Sequence, residues 1–219
     1  SSKGRFGADL FIDCTNAWAR RTSELLGASM LPVDPLKRYL WFLRRGAAMP
    51  KEQFDQMPLV ISPSGVYCRP ENSDTLMMGH AHHTMPDFDF DLDDQDEIEP
   101  LFAHDGGIDA EPFASWMQLA EAVPPIGEFN GISATTSGYY GSTPDHNPFL
   151  GYDPAVPNLI RLVGFSGHGA MFGPFTALVA LALVKAGRDV PSVMVDGEEV
   201  SLEAFAVGRE LGHAESMVI

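Results

Sequence analysis

The spacing of apolar positions changes several times along the chain, and each change marks an element. Residues 8–13 are rich in apolar residues, as in a buried strand. From Trp18 to Leu26 the spacing is that of a short helix, with Gly27 where the C′ residue should stand. Leu31 to Pro35 is an extended crossing, and the aromatic-rich residues 36–45 predict a strand. Residues 46–57 are polar and loop-like. Residues 58–69 and 75–80 predict a hairpin turning through Glu71-Asn72-Ser73-Asp74. Phe113, Trp116, Met117, Leu119 and Ala120 recur at helical intervals, predicting a helix over 113–122 that Pro124-Pro125 stops. Residues 128–141 predict a strand, and 158–163 are apolar enough for a buried one. A glycine turn follows at 164–169. Residues 175–184 are then apolar on every side, predicting a buried helix. The stretch 189–219 is polar apart from an amphipathic piece near 202–211.

Read together, these elements predict a chain in which strands and helices are interspersed. At 219 residues the chain can bury a substantial core and form one or two domains. Its formal charge of −16 is unevenly spread, with a local +5 over residues 1–51 and a local −21 beyond. That balance argues against nucleic acid as a partner, because phosphate backbones demand a net basic surface. The cations Lys37, Arg38, Arg44 and Arg45 flank an apolar stretch. They are either the charged ends of a strand or a place where one cation meets a carboxylate. Residues 87–99 carry eight acids in thirteen positions, the pattern of a solvated edge or loop without calcium-loop spacing. His80, His82 and His83 allow a metal-binding reading, needing a third ligand such as Asp87 or His104, but loop histidines without metal are the expectation. Cys14 and Cys68, each in a predicted strand, are expected to be reduced core thiols. With no apolar segment of a secretory signal near Ser1, the expected setting is cytoplasmic. The longest apolar run, near 175–184, is about half a membrane span, so no span is expected.

The chemistry concentrates in Gly164-Phe165-Ser166-Gly167-His168-Gly169, between a strand and a helix. A strand, a tight glycine turn and a helix start aim backbone N–H groups and the positive end of a helix dipole at one point. Such a point suits a group that is, or becomes, negatively charged. The bland alternative is a turn that needs glycine only for packing.

With three further segments, this turn resembles the C-terminal half of the D-amino-acid oxidase superfamily of FAD-dependent amine oxidoreductases, the group of glycine oxidase, sarcosine oxidase and dimethylglycine dehydrogenase. The segments are Ala8 to Ala19, similar to the family's strand ending in an Ala-Gly-Ala-Trp turn; Gly65 to Pro70 with Leu76 to Gly79, similar to its substrate-domain hairpin; and Gly138 to Pro148, similar to its Tyr-x-x-Thr-Pro-Asp-x-x-Pro stretch. The family's opening Gly-x-Gly-x-x-Gly turn, which holds the FAD pyrophosphate, is not found in this chain.

The resemblance implies an α+β fold, with residues 1–30 and 140–219 as parts of an incomplete FAD-binding α/β domain that supply its C-terminal strand and helix, and 31–139 as the substrate-binding domain, built on a mixed, mainly antiparallel sheet. It implies FAD, bound non-covalently and only with the missing N-terminal half. The reaction would be hydride transfer to flavin from a small amine or amino-acid-like substrate. The alternative is a non-catalytic remnant or subunit packing against a partner chain that carries the dinucleotide-binding half. The implied cofactor-binding residues are Asn16, Ala17, Trp18, Gly138, Gly164, Ser166, Gly167, His168, Gly169, Ala170 and Met171, with N–H donors from Gly167, His168, Gly169 and Ala170. Some departures narrow the substrate. Gly138 stands where sarcosine oxidase-like members attach FAD through cysteine, and Met171 where some carry a lysine near the substrate carboxylate. Tyr139 and Tyr140 have no neighbouring arginine of the kind D-amino-acid and glycine oxidases use. Asn16 replaces a glycine, which asparagine can do because it tolerates left-handed geometry. A carboxylate would then fall to Arg69 first and Arg44 second, with Tyr67 and Tyr139 lining the substrate space. The catalytic group is left open, with His168 as the candidate.

Overall fold

The computed structural model describes residue 4 and residues 7–80 and 110–211. In chain order its strands are β1 (Phe11–Asp13), β2 (Asp34–Arg44), β3 (Val60–Ile61), β4 (Val66–Asn72), β5 (Thr75–His80), β6 (Ile132–Ser142), β7 (Phe149–Tyr152), β8 (Leu159–Val163), β9 (Ser192–Val195) and β10 (Glu198–Ser201). Its helices are α1 (Ala19–Leu26), α2 (Lys51–Asp55), α3 (Ala110–Ala122) and α4 (Gly169–Ala186). The fold is mixed α/β with antiparallel pairing in every sheet. Two compact units result. One takes the described residues up to Leu36 and from Tyr140 onward, and the other runs from Lys37 to Tyr139.

The first unit is built on a three-stranded sheet in the order β1-β8-β7. All five residues of β8 are buried. It pairs parallel to β1, placing Asp13 opposite Arg161, and antiparallel to β7. Leu150, Ile160 and Leu162 of the sheet pack with Val179 and Leu183 of α4. The helix predicted from Trp18 begins at Ala19, preceded by one 3-10 turn over Asn16–Trp18. Gly27 closes it in the left-handed conformation, as expected. The chain beyond 189 holds strands that the polar reading missed. β9 and β10 form a hairpin whose turn residues Asp196 and Gly197 have φ of +50° and +91°.

Two expectations fail in this unit. Cys14 is exposed rather than buried, because it lies one residue beyond the end of β1. The helix after the glycine turn is not buried all round. It runs 18 residues, long and apolar enough to cross a membrane by length and composition. Thr176, Val179 and Leu183 are buried, while Leu178, Leu181 and Val184 are more than two-fifths exposed. The described residues cover one side of this helix only.

The second unit carries a five-stranded sheet in the order β3-β4-β5-β2-β6. Strand alternation explains its core. Trp41 and Leu43 of β2, Val66 and Cys68 of β4, and Leu76 and Met78 of β5 share the buried face with Phe54, Leu119 and Ile126. The predicted strand 58–69 is in fact two, β3 and β4, which turn through Ser62 to Gly65 and pair antiparallel. The expected hairpin with 75–80 is β4–β5, with a tighter turn than expected, since Asn72 already pairs with Thr75. The register shifts between Pro70 and Asn72, where proline cannot donate to the ladder. Within the segment read as loop, α2 forms and buries Phe54. The acid-rich stretch 87–99 and His82, His83 and His104 lie outside the described residues. The ring Nε2 of His80 lies 3.1 Å from the Ser64 carbonyl oxygen.

Candidate functional site

The turn between β8 and α4 has a backbone that few residues adopt. Gly164, Ser166 and Gly167 have φ of +84°, +50° and +92°. Glycine adopts such angles at no steric cost, whereas serine does so under strain. Ser166 is buried and pinned in that state. Its N–H donates to the Gly141 carbonyl at 2.9 Å, and its Oγ accepts the Thr143 N–H at 3.1 Å. A Cβ on Gly164 would lie 2.5 Å from the Thr143 methyl, and one on Gly167 would lie 2.6 Å from the Tyr140 ring. Close approach therefore demands glycine at both places independently of φ.

Asn16 holds the turn from the other side. Its φ of +50° is the left-handed geometry expected when asparagine replaces glycine. Its Oδ1 accepts the N–H groups of Gly164 at 3.0 Å and Phe165 at 3.1 Å. The chain leading to Asn16 is anchored in turn. Asp13 Oδ1 accepts the Thr15 N–H at 2.9 Å and its hydroxyl at 2.7 Å. Asp13 Oδ2 pairs with Arg161 Nε at 3.0 Å, as an ion pair rather than an aligned hydrogen bond.

Arg161 has no exposed surface. It also donates to Asp153 Oδ2 at 3.0 Å, Ser23 Oγ at 2.9 Å, and the carbonyls of Ala19 and Ser29 at 3.2 and 3.3 Å. Burial alone would raise the Asp153 carboxyl, but N–H groups of Ser29 and Ala155, the Ser29 hydroxyl and the Arg161 charge outweigh it and hold it below the usual range. This network was not read from the sequence. Its signal was an arginine inside an otherwise apolar strand, since a buried charge requires partners.

The amides left at the turn define what it can hold. The His168 N–H donates to the Phe165 carbonyl at 2.8 Å, so of the four anticipated donors this one is committed inside the turn. Its carbonyl accepts the Phe172 N–H at 3.0 Å as α4 begins. Gly169, Ala170 and Met171 open the helix, so their N–H groups have no intrahelical acceptor. The helix dipole adds positive potential at the same place. The arrangement is suited to stabilising negative charge on a group that approaches the backbone closely.

The remaining sequence-predicted residues are distributed as follows. Ala17 is buried and Trp18 half-buried in the 3-10 turn beside Asn16. Gly138 lies in β6, and a Cβ there would meet nothing within 4 Å. In the second unit, Tyr67 and Arg69 alternate with the buried Val66 and Cys68, and Arg44 with the buried Leu43, so all three occupy the sheet face opposite the core. Register sets Arg69, Met77 and Phe42 in one row, and Tyr67, Gly79 and Leu40 in the next. The Tyr67 ring lies over Gly79, where a Cβ would come within 2.4 Å of it. Arg69 pairs with Glu71 at 3.0 Å. Tyr139 is placed differently. Lys37 Nζ lies 5.9 Å from its ring centroid and 5.6 Å from that of Tyr39, and Lys37 and Tyr39 share their β2 positions with Trp41 and Leu43.

A cleft of about 590 Å³ opens elsewhere, beside Asp145, Glu203, Arg209 and Glu210. Arg209 directs its N–H groups to Asp145 and to the carbonyls of Asn147, Pro148 and Ala206. Among the described residues, that cleft therefore offers an anion no available cation.

Comparison with known proteins bears on the family and the fold. The family model described as DAO, FAD dependent oxidoreductase, matches residues 1–183. FAD-dependent oxidoreductase domain-containing protein 1 of Bos taurus is 28% identical over 217 residues, covering 91% of this chain and 39% of that protein. Among solved structures, glycine oxidase from Geobacillus kaustophilus superposes with a TM-score of 0.68 at 23% identity, covering 96% of this chain and 48% of the other. Iminodiacetate oxidase from Chelativorans sp. BNC1 superposes with a TM-score of 0.64 at 22% identity, covering 94% and 48%. The chain thus spans less than half the length of these relatives.

Proposed function

The chain belongs to the DAO family of FAD-dependent oxidoreductases, and on that premise we propose that its 164–171 segment holds the edge of a flavin where negative charge collects. The observation that carries this reading is the turn itself. Tyr140 packs against Gly167 where any side chain would clash, and three helix-opening amides beside it have no acceptor within the helix. The residues therefore fit the group. When bound, FAD supplies the acceptor for a hydride leaving a carbon next to nitrogen. The amides of Gly167, Gly169 and Ala170 are fixed in advance, so they stabilise charge without reorganising. Gly138 offers no nucleophile for a covalent link, which supports non-covalent binding.

Residues 1–30 and 140–219 contribute to the FAD-binding domain and 31–139 form the substrate-binding domain. The substrate is a small amine or amino-acid-like molecule. Arg44 and Arg69 share a face with Tyr67 and serve as cations for its carboxylate, Arg69 by exchanging Glu71 for substrate. The His168 amide is removed from the donor set, and its ring remains the catalytic candidate of the turn.

The pyrophosphate cradle comes from polypeptide outside these residues, in the same protein or a partner chain. The apolar surface supports this part of the reading. Phe11 and Ile12 of β1 are 44% and 47% exposed at a sheet edge, and Met171 of α4 is 70% exposed. The test is an absorption spectrum of the intact protein containing this segment, followed by mild denaturation and anaerobic addition of amino acids and secondary amines. The expected result is yellow protein, flavin released without proteolysis, and bleaching by one substrate class. Colourless protein that takes up no FAD would refute the assignment.

A further inference from the structure

We propose that Asn16 is a positioning residue whose side chain, rather than its backbone, fixes the 164–169 turn. The inference rests on the flavin reading above for its functional consequence, but its structural content is independent of it. Asn16 and Gly164 are far apart in sequence, yet Oδ1 accepts two consecutive N–H groups, those of Gly164 and Phe165. A glycine with the same left-handed φ of +50° would satisfy the backbone and leave both amides without that acceptor. The fold makes room for the carboxamide. A Cβ on Gly141 would lie 2.7 Å from Asn16 Oδ1, so a side chain there would displace it. The same Gly141 accepts the Ser166 N–H, so Asn16 and Gly141 together hold three successive amides, those of 164, 165 and 166. With those three committed, and that of His168 committed to Phe165, the orientation of the remaining amides at Gly167 and Gly169 follows from Asn16.

The anchor behind Asn16 is rigid. Thr15 is held by Asp13, which is paired with the buried Arg161. A two-acceptor grip at one end and a buried ion pair at the other make the segment 13–18 a strut between β1 and the turn. The Asn16 Oδ1 is thus taken up by two protein amides, so a side-chain contact to a cofactor would fall to Nδ2.

Two variants separate this role from backbone conformation. Asn16→Gly keeps the left-handed geometry and removes the acceptor. Asn16→Asp keeps an acceptor of the same reach. Hydrogen exchange of the Gly164 and Phe165 amides in the intact protein should accelerate by about tenfold or more in Asn16→Gly, matching two lost hydrogen bonds. Exchange should return towards wild type in Asn16→Asp. Flavin absorption and the FAD dissociation constant, read on the same samples, should move in Asn16→Gly and recover in Asn16→Asp. Exchange unchanged in Asn16→Gly, or accelerated equally in both variants, overturns the proposal. Exchange that responds as stated while the flavin spectrum and affinity stay fixed supports the positioning of the turn and refutes its assignment to flavin.

Discussion

Arg209 forks onto Asp145, with Nε 2.8 Å from Oδ2 and Nη2 2.9 Å from Oδ1, and both side chains are 4% exposed. The guanidinium also lies 3.9 Å over the Phe149 ring. This pair fastens the tail of the chain to the Thr143–Pro148 segment that supports Ser166. Removing one partner leaves a buried charge alone. Arg209→Ala should therefore cost about 3–5 kcal/mol, and Arg209→Lys less. The measurement is the urea midpoint at unchanged slope.

Two carboxyls couple this fold to acid. Burial alone would raise Asp145, but hydrogen bonds from Arg209, its charge and the Asn147 N–H outweigh it and hold the carboxyl below the usual range. Asp153 is lowered in the same sense. Between each lowered value and the unfolded value of about 3.9, the unfolded chain binds more protons, so stability rises with pH through that window. The stabilisation is fully present above about pH 5 and is lost as pH falls through the folded values. The urea midpoint should be flat from neutrality to that point and drop below it. Asp153→Asn should shallow the drop, whereas an unaltered acid limb would count against this origin.

Gly167 and Gly169 differ in what they tolerate. Gly167 combines φ of +92° with a Cβ position 2.6 Å from Tyr140. Gly169 lies in helical geometry, with its nearest neighbour, Phe165 Cβ, at an ordinary 3.5 Å. Gly167→Ala should cost about 1–3 kcal/mol and reduce flavin content. Gly169→Ala should be within about 1 kcal/mol of wild type, gaining helix propensity. Thermal denaturation and the ratio of flavin to protein absorbance test both.

The two thiols should react in sequence. Burial pushes the Cys68 thiol up to about 12, while partial desolvation and then the Asp13 charge also raise the thiol of Cys14, which is exposed to reagent. A thiol reagent at neutral pH should modify Cys14 alone in the folded 219-residue chain, more slowly than free cysteine, because less of it is thiolate. Cys68 should react only in denaturant. Cys14→Ser should abolish the native reaction.

The glycine turn was legible because positive φ and close approach are local demands that few residues meet. The left-handed place of Asn16 was legible for the same reason. What its carboxamide accepts was not, since Gly164 reaches it only through tertiary pairing. The β9–β10 hairpin did carry a signal, Asp196-Gly197 between β-forming residues. The adjacent acids Glu198 and Glu199 that open the second strand obscured the alternation. The all-apolar surface of α4 was legible, but its burial was not, because pattern shows that a face is to be covered without showing by what. Cys14 was misplaced by a single residue, enough to leave a strand and its core.

Parallel pairing of Phe11 with Leu159 means that β1 emerges from the ribosome long before the strand that completes it. Every residue of the second unit is synthesised in the interval. That unit, bounded at Lys37 and Tyr139, has its own core and can collapse first, bringing the two ends of the first unit within reach. Until then β1 lacks the β8 ladder that ties it to the sheet, so the vulnerable period for misassembly is set by translation speed across the inserted unit.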